Sequence, residues 1–235
     1  GDNRVLAGLD IVNGDKVTVG SGEDIVLGDN GKLEYRLNVL QAVISLTTNK
    51  GGDDELILGE GHNIAIAGQG SDQITGGSGH DIVLGDSGEL TFSAVNDGVI
   101  DQVKSSDINL GGKDIITLQG GDNTVLGGAA GDAITSSDGM DVILGDSGQI
   151  DYVGGVITMI STTDGVTPTV DVIEDDINAG DGDNRILAGL GNDSVTVGSG
   201  NDVVLGDSGS LSYNGTVLTA ATSSELTLGG TDTLA

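Results

Sequence analysis

The sequence predicts an all-β protein in which short parallel strands wind into a flattened coil. Two nested repeats and an unusual composition lead to this prediction. The 235 residues include 43 glycines, one proline and no cysteine or tryptophan. Hydrophobic residues make up 36% of the chain and aromatic residues only 2%. Because the apolar residues are mostly Val, Ile, Leu and Ala, we expect a thin core of small side chains, with glycine supplying the turns.

The longer repeat divides the chain into about four units. The triplet "GDN" or "GHN" recurs so that its asparagines, Asn3, Asn63, Asn123 and Asn184, are 60, 60 and 61 residues apart. A repeat of this length is typical of a solenoid, in which each unit buries its apolar residues against its neighbours. We therefore expect one elongated domain over 1–235, with units at approximately 1–60, 61–120, 121–181 and 182–235.

The shorter repeat has nine residues and places an Asp or Asn before a short apolar run. An apolar residue follows this position after two residues each time, as in Asp72–Ile74 and Asp193–Val195. We call these positions posts, and most of them follow a glycine-rich turn. The posts are Asn3, Asp15, Asp24, Asp54, Asn63, Asp72, Asp81, Asp114, Asn123, Asp132, Asp141, Asp175, Asn184, Asp193, Asp202 and Asp232.

The spacing of the posts predicts columns of carboxylates. If two nonapeptides form one turn of the coil, residues eighteen apart stack at about 4.8 Å, with Asp54 beside Asp72 and Asn63 beside Asp81. Such carboxylates repel one another unless a cation lies between them. Calcium suits the position because it accepts six to eight oxygen ligands in a flexible shell. We therefore expect all the posts, the four asparagines included, to be calcium ligands. The alternative is that each Asp only satisfies amides of its own turn, which would explain one Asp but not a column.

The segment "GLGNDSVTVGSGNDVVLGDSG" (189–209) resembles the hemolysin-type calcium-binding, or RTX, nonapeptide repeat. The similarity extends over three or four nonapeptides in each unit. The resemblance implies a right-handed parallel β-roll, a β-solenoid, that binds several Ca²⁺ ions. It also implies a segment of a large secreted or cell-surface repeat protein of the kind exported by type I secretion, such as an adhesin, a surface-layer protein or a toxin.

A second motif, "LGDSG" or "LGDNG", departs from the nonapeptide in every unit. Where the next post should stand, the chain has Leu33, Leu90, Ile150 or Leu211. A carboxylate stands four residues earlier, and we hypothesise that it binds calcium in place of the missing post. These carboxylates are Asp29, Asp86, Asp146 and Asp207. The alternative is a type I turn that begins with Asp.

The residues after this motif leave the nine-residue repeat. From the last post of one unit to the first of the next is 30, 33, 34 and 30 residues, none a multiple of nine. We expect each excursion to form strands or a hairpin, with "GVIDQV" (98–103) and "TPTVDVI" (167–173) as candidates. We expect Leu90 and Phe92 to close the open end of a two-turn calcium block.

Outward-facing residues distinguish the two predicted sheets. After the third post of each unit they are polar, such as Gln73 and Thr75, so this sheet should face water. After the fourth post they are apolar, such as Ile82 and Leu84. A sheet that is apolar on both faces must be covered. The excursion is one candidate for the cover, and self-association through this face is the other.

Charge and motifs limit the function classes. The chain has 8 basic and 37 acidic residues and a formal charge of −29, which disfavours nucleic acid and anionic membranes as partners. No run approaches the roughly 20 apolar residues of a membrane span. His62 and His80 are the only histidines and do not recur. No nucleophile arrangement, zinc-ligand cluster or phosphate loop is present, so we expect no enzyme.

The sequence therefore predicts a structural calcium-binding module. It opens without an initiator Met or signal peptide, and we expect a segment of a longer chain with flanking repeats. Two alternatives stay open, an accessory non-catalytic module of a secreted enzyme and a ligand-binding adhesin segment. The domains of the parent protein would discriminate between them.

Overall fold

The computed structural model describes residues 1–8, 14–46, 50–95, 98–163, 174–224 and 229–235. Within these ranges there is no helix, and hence none long and apolar enough to cross a membrane. The strands in chain order are β1 (Arg4–Leu6), β2 (Lys16–Thr18), β3 (Ile25–Leu27), β4 (Gly31–Arg36), β5 (Val39–Ser45), β6 (Glu55–Gly59), β7 (Ile64–Ile66), β8 (Gln73–Gly76), β9 (Ile82–Leu84), β10 (Gly88–Phe92), β11 (Ile100–Ser105), β12 (Ile115–Thr117), β13 (Thr124–Gly128), β14 (Ala133–Ser136), β15 (Val142–Asp146), β16 (Gly148–Val153), β17 (Val156–Thr162), β18 (Asp176–Ala179), β19 (Arg185–Gly189), β20 (Ser194–Val197), β21 (Val203–Asp207), β22 (Gly209–Asn214), β23 (Val217–Ser223) and β24 (Thr233–Leu234).

These strands form three sheets of eight strands each. Two are parallel and make the coil. We call them the covered sheet, of order β1-β3-β7-β9-β13-β15-β19-β21, and the open sheet, of order β2-β6-β8-β12-β14-β18-β20-β24. The third, antiparallel sheet has the order β23-β22-β17-β16-β11-β10-β5-β4, and we call it the hairpin sheet. The predicted β-roll is confirmed.

The coil runs through the unit boundaries without a break. Val83 pairs with Val125 of the following unit in the same way that Ala65 pairs with Val83 of its own unit. In the open sheet, Ile74 likewise pairs with Ile116 across the boundary. The two turns of each unit are therefore stacked on those of the next, and the coil has no open end at these unit boundaries. Each excursion returns the chain in register with the turn that it left, so the next unit stacks directly on the last.

A thin core fills the space between the two parallel sheets. Its members are apolar residues two, and in several turns also four, positions after the posts, which point inward because side chains alternate along a strand. Val26, Leu56, Ile74, Ile116 and Ile134 are all fully buried in this cluster. The outer face of the open sheet is polar, as predicted, and Lys16, Thr18 and Gln73 are exposed there.

A second hydrophobic cluster lies between the covered sheet and the hairpin sheet. The covered sheet contributes Leu27, Leu84 and Leu126, and the hairpin sheet contributes Val43 and Leu90. The excursion, and not a second molecule, therefore covers the apolar face of the coil in the described residues. The candidate strand at 98–103 is confirmed as part of β11. The candidate at 167–173 lies outside the described residues.

Leu90 and Phe92 do not close the end of the coil, so that prediction is wrong. Leu90 is fully buried in β10, where it pairs with Val43 on one side and with Val103 on the other. Phe92, at the end of the same strand, is partly buried against this cluster. Both lie outside the coil, because the strand that would have continued it turns back over the covered sheet.

We expect Leu90→Ala to lower the free energy of unfolding by about 2–5 kcal/mol, because it leaves a cavity between two packed sheets. Chemical denaturation in saturating calcium measures this change. Val153→Ala, at a position 70% exposed in β16, is the control and should change stability by no more than about 0.5 kcal/mol. A cost at Leu90 as small as that at Val153 would contradict the assignment of Leu90 to this core.

Candidate calcium-binding site

The posts form two columns, one at each edge of the coil. Posts that precede open-sheet strands are all aspartates, and we call them the Asp column. Posts that precede covered-sheet strands alternate between Asn and Asp, and we call them the Asn–Asp column. The Asp column is Asp15, Asp54, Asp72, Asp114, Asp132, Asp175, Asp193 and Asp232. The Asn–Asp column is Asn3, Asp24, Asn63, Asp81, Asn123, Asp141, Asn184 and Asp202.

One side-chain oxygen of each post holds the neighbouring turn. Asp72 Oδ1 accepts a hydrogen bond from the main-chain amide of Asp54 at 2.6 Å, and Asp114 Oδ1 accepts one from Asp72 at 2.8 Å. The second of these bonds crosses a unit boundary. The same contact recurs along the Asn–Asp column, where Asp81 Oδ1 lies 2.9 Å from the amide of Asn63. The predicted stacking is present, and it extends through the boundaries of the units.

The other oxygen of eight aspartate posts is buried and has no hydrogen-bond donor among the described residues. This holds for Oδ2 of five members of the Asp column and three of the Asn–Asp column within the described residues. They are Asp72, Asp114, Asp132, Asp175 and Asp193, and Asp24, Asp81 and Asp141. Burying a carboxylate oxygen without a partner costs free energy of folding. A cation could serve as the partner of each of these oxygens.

Main-chain carbonyl oxygens lie beside these free carboxylate oxygens. A Cβ added to Gly85 would clash with both Asp114 Oδ2 and the carbonyl oxygen of Gly127. A Cβ on Gly145 would clash in the same way with Asp175 Oδ2 and the carbonyl oxygen of Ala188. Only glycine leaves this space open. Carboxylate and carbonyl oxygens are the ligands that Ca²⁺ prefers, so the oxygen atoms that meet here fit this ion.

The extra aspartates of the "LGDSG" motif reach the Asp column at the unit boundaries. Asp86 Oδ2 accepts a hydrogen bond from the amide of Ala129 at 2.6 Å, and its Oδ1 lies 3.3 Å from the amide of Gly112. Asp29 and Asp146 accept equivalent bonds from Gln69 and Leu190. Ala129, Gln69 and Leu190 belong to the next unit, so the three aspartates do not merely cap the turns in which they stand.

Burial makes ionisation of the aspartates unfavourable in the absence of a cation. Burial, together with the nearby charges of Asp54 and Asp29, raises the pKa of Asp72 to about 8. Burial likewise raises the pKa of Asp114 well above its ordinary value, and the nearby charges of Asp86 and Asp72 add to the rise. A raised pKa means that the fold without a cation is favoured by acid and loses stability as the pH rises.

The same effect extends along the Asp column. Burial raises the pKa of Asp132 and Asp175 well above the ordinary range, and the charges of neighbouring aspartates add to it. At the last boundary, burial raises the pKa of Asp193 to about 7, with contributions from the charges of Asp232 and Asp207. A divalent cation in the column would oppose both the desolvation and the repulsion.

Side chains alone do not complete a metal shell. Among the described residues, no three carboxylate, imidazole or thiol groups converge closely enough to hold a metal ion by themselves. The carbonyl oxygens of the glycine-rich turns would therefore have to supply part of the coordination. This requirement fits the presence of glycine, whose main chain can approach closely, in the turn before most posts.

The ends of the columns are less enclosed than the middle. Asn3 is exposed, and Asp15, Asp202, Asp207 and Asp232 are half-buried. The asparagine posts differ from the aspartates in a way that sequence reasoning missed. Their amide nitrogens donate hydrogen bonds to carbonyl oxygens of their own turns, as from Asn3 to Gly1 at 2.8 Å.

Comparison with known protein families agrees with this geometry. The model of the RTX calcium-binding nonapeptide repeat matches in four copies, over residues 57–89 and 175–210. The matched segments lie mostly in the second and fourth units, and the structure repeats the same two-edged coil in the first and third. No curated protein and no solved structure matches the chain significantly. The chain contains RTX calcium-binding nonapeptide repeats, and their several copies imply several Ca²⁺ ions.

Proposed function

We propose that this chain is a structural module of a larger secreted or cell-surface protein, and that Ca²⁺ folds and stiffens it. The observation that supports this proposal best is the row of buried aspartate oxygens without a hydrogen-bond donor. The formal charge of −29 opposes compaction of the calcium-free chain. Since a cation that binds only the folded state adds to its stability, many weak sites sum to a large effect.

We infer that the aspartates of both columns and of the "LGDSG" motifs are the calcium ligands. The proposed set is Asp15, Asp24, Asp29, Asp54, Asp72, Asp81, Asp86, Asp114, Asp132, Asp141, Asp146, Asp175, Asp193, Asp202, Asp207 and Asp232. Turn carbonyl oxygens, such as that of Gly127, complete each shell. A cation between two turns joins them without a side-chain core at the edge, which stiffens the coil along its length.

The "LGDSG" aspartates give the unit boundaries an added role. Asp86 acts electrostatically on Asp114 together with Asp72, so three carboxylates share one boundary. A calcium ion there would join the end of one unit to the start of the next. Because each excursion leaves the coil at this point, the boundary is where stacked turns are least supported by chain connectivity.

The calcium affinity that this function needs is modest. Extracellular calcium modules have dissociation constants of about 10⁻⁴–10⁻³ M, which suits a chain exported unfolded and folded outside the cell. RTX repeats are typically found in secreted proteins and act as non-catalytic modules. We therefore propose an adhesin, surface-layer or toxin-like parent, in which this segment serves as a stiff spacer.

In excess chelator, we expect the chain to lose most of its β structure and to expand, because its buried carboxylates then repel one another. Circular dichroism and hydrodynamic radius, followed during a calcium titration, measure both changes. Magnesium at the same concentration is the control and should restore much less structure, because it demands strict octahedral geometry. A chain that keeps full β signal and compactness in chelator would refute the proposal.

We expect Asp132→Asn to remove one bound calcium per chain. At calcium a hundredfold above the dissociation constant, one site contributes about 2.7 kcal/mol, and the free energy of unfolding should fall by about this amount. Native mass spectrometry counts the ions, and denaturation in calcium measures stability. Asp101→Asn, at an exposed position of β11, is the matched control and should change neither. An unchanged calcium count for Asp132→Asn would exclude this residue as a ligand.

We expect Asp86→Asn to weaken calcium binding at its unit boundary while leaving the hairpin core intact. The substitution removes a charge and one of two acceptor oxygens, which contact the amides of Ala129 and Gly112. Calorimetric titration should show one weakened site. Leu90→Ala, from the same motif, is the reverse control, with lower stability and an unchanged calcium count. Wild-type calcium binding by Asp86→Asn would show that Asp86 only holds the adjoining turn.

A further inference from the structure

We propose that the asparagine posts replace calcium ions instead of binding them. In each case the amide group would do by hydrogen bonding what a cation does at an aspartate post. This inference rests on the proposed calcium binding by the aspartates, and it assigns a different number of ions to the two edges of the coil. It concerns the four members Asn3, Asn63, Asn123 and Asn184.

The orientation of three of these four amides, those of Asn63, Asn123 and Asn184, is fixed by a main-chain donor. The amide of Asp81 donates to Asn123 Oδ1 at 3.0 Å, and that of Asp141 donates to Asn184 Oδ1 at 3.1 Å. Asp24 donates to Asn63 in the same way at 3.1 Å. A flipped amide would set an NH₂ group against the main-chain N–H. The side-chain oxygen therefore takes the place of aspartate Oδ1, and the nitrogen takes the place of Oδ2.

At that place the nitrogen donates to oxygen atoms. Asn123 Nδ2 lies 2.9 Å from the carbonyl oxygen of Gly121 and 3.1 Å from Ser136 Oγ. Asn184 Nδ2 donates to the carbonyl oxygens of Gly180 and Gly182 at 3.1 and 3.2 Å. These carbonyl oxygens are turn ligands of the kind that a cation needs. A donor that already satisfies them leaves neither a negative ligand nor a free position for calcium.

Asn63 makes the same contacts in the second unit. Its Nδ2 donates to the carbonyl oxygen of Gly61 at 3.2 Å and to Asp81 Oδ1 at 2.9 Å. The amide thus also supports the carboxylate of the next post. Both polar atoms of this asparagine are engaged with partners inside the coil, although its side chain is almost completely buried. The group is satisfied without any ion.

The aspartates of the same column are different. Asp24, Asp81 and Asp141 each keep a buried Oδ2 that accepts no hydrogen bond from the described residues. Calcium therefore has a ligand at these steps and none at the asparagine steps between them. The Asp column, by contrast, offers a carboxylate at every step. The Asn–Asp edge should hold about half as many ions as the Asp edge.

The acidic residue that precedes an asparagine post does not supply the missing carboxylate ligand. Asp122 precedes Asn123, but its Oδ1 accepts a hydrogen bond from the amide of Met140 at 2.9 Å. Its Oδ2 lies 3.8 Å from His80 Nδ1 on the exposed side of the turn. Asp183 likewise faces the amide of Asn201. These carboxylates support the outside of the edge and leave the inner position to the asparagine.

The test is a gain of calcium by substitution. Native mass spectrometry of the whole chain in saturating calcium counts bound ions for the native protein, Asn123→Asp, Asn184→Asp and Asn123→Ala. We expect one additional ion for each Asp variant, because the carboxylate restores a free Oδ2 beside the turn carbonyls. We expect two additional ions for the double variant that carries both Asn123→Asp and Asn184→Asp. We expect an unchanged count for Asn123→Ala, because no ion is lost with the amide.

Two results would overturn the inference. One is an Asn123→Asp variant that folds in calcium, by circular dichroism, and binds no additional ion. The other is an Asn123→Ala variant that loses one ion, which would make the asparagine a ligand. The second measurement stands even if the Asp variants do not fold. A native chain that binds no calcium would instead refute the proposed function, and Asp132→Asn confirms that the method detects the loss of a single ion.

Discussion

The structure depends on the stacking of like charges at the spacing of neighbouring strands. Parallel strands fix adjacent posts at about 4.8 Å, and the short nonapeptide places the inward-facing apolar side chain only two residues after the post. Each aspartate therefore meets the next inside a nearly closed turn. One oxygen holds the neighbouring main chain, as Asp72 holds Asp54, while the other remains for a cation. The same carboxylates that order the main chain also repel one another, so the folding of the coil depends on how their charges are balanced.

The hairpins answer a different physical problem. The core between the two parallel sheets is thin, because each nonapeptide contributes only one or two small apolar side chains and no aromatic one. The covered sheet gains a second core on its outer face, where Leu84 and Leu126 meet Leu90 and Val103. This second layer needs no calcium, since it is held by apolar contact and antiparallel pairing. The module thus combines cation-dependent edges with a cation-independent face.

The fold was largely predictable from the sequence, and the limits have physical causes. The nine-residue spacing predicted the posts, the inward Ile74 and Ile116, and the polar outer face of the open sheet, because strand alternation and the length of a turn leave few other arrangements. The register in which each excursion rejoins the coil was not predictable. The excursions have unequal lengths, and nothing in their spacing shows that the chain returns in register. Leu90 was misplaced for that reason, since its partners Val43 and Val103 are distant in sequence.

For the candidate site too, the sequence predicted which residues are involved but not the contacts that they make. Repetition of Asp identified the columns, but the difference between Asp81 and Asn123 lies in hydrogen-bond direction, which a pattern of letters does not contain. An acceptor-only carboxylate beside turn carbonyls needs an external cation, whereas a primary amide brings its own donor. A column of aspartate alone would make both edges fully dependent on calcium. In the Asn–Asp column every second post is an asparagine that needs no cation, so this edge of the coil can fold with fewer calcium ions. The strands of the covered sheet begin at this same edge. The edge that depends less on calcium therefore adjoins the hairpin sheet, which is held by apolar contacts and antiparallel pairing.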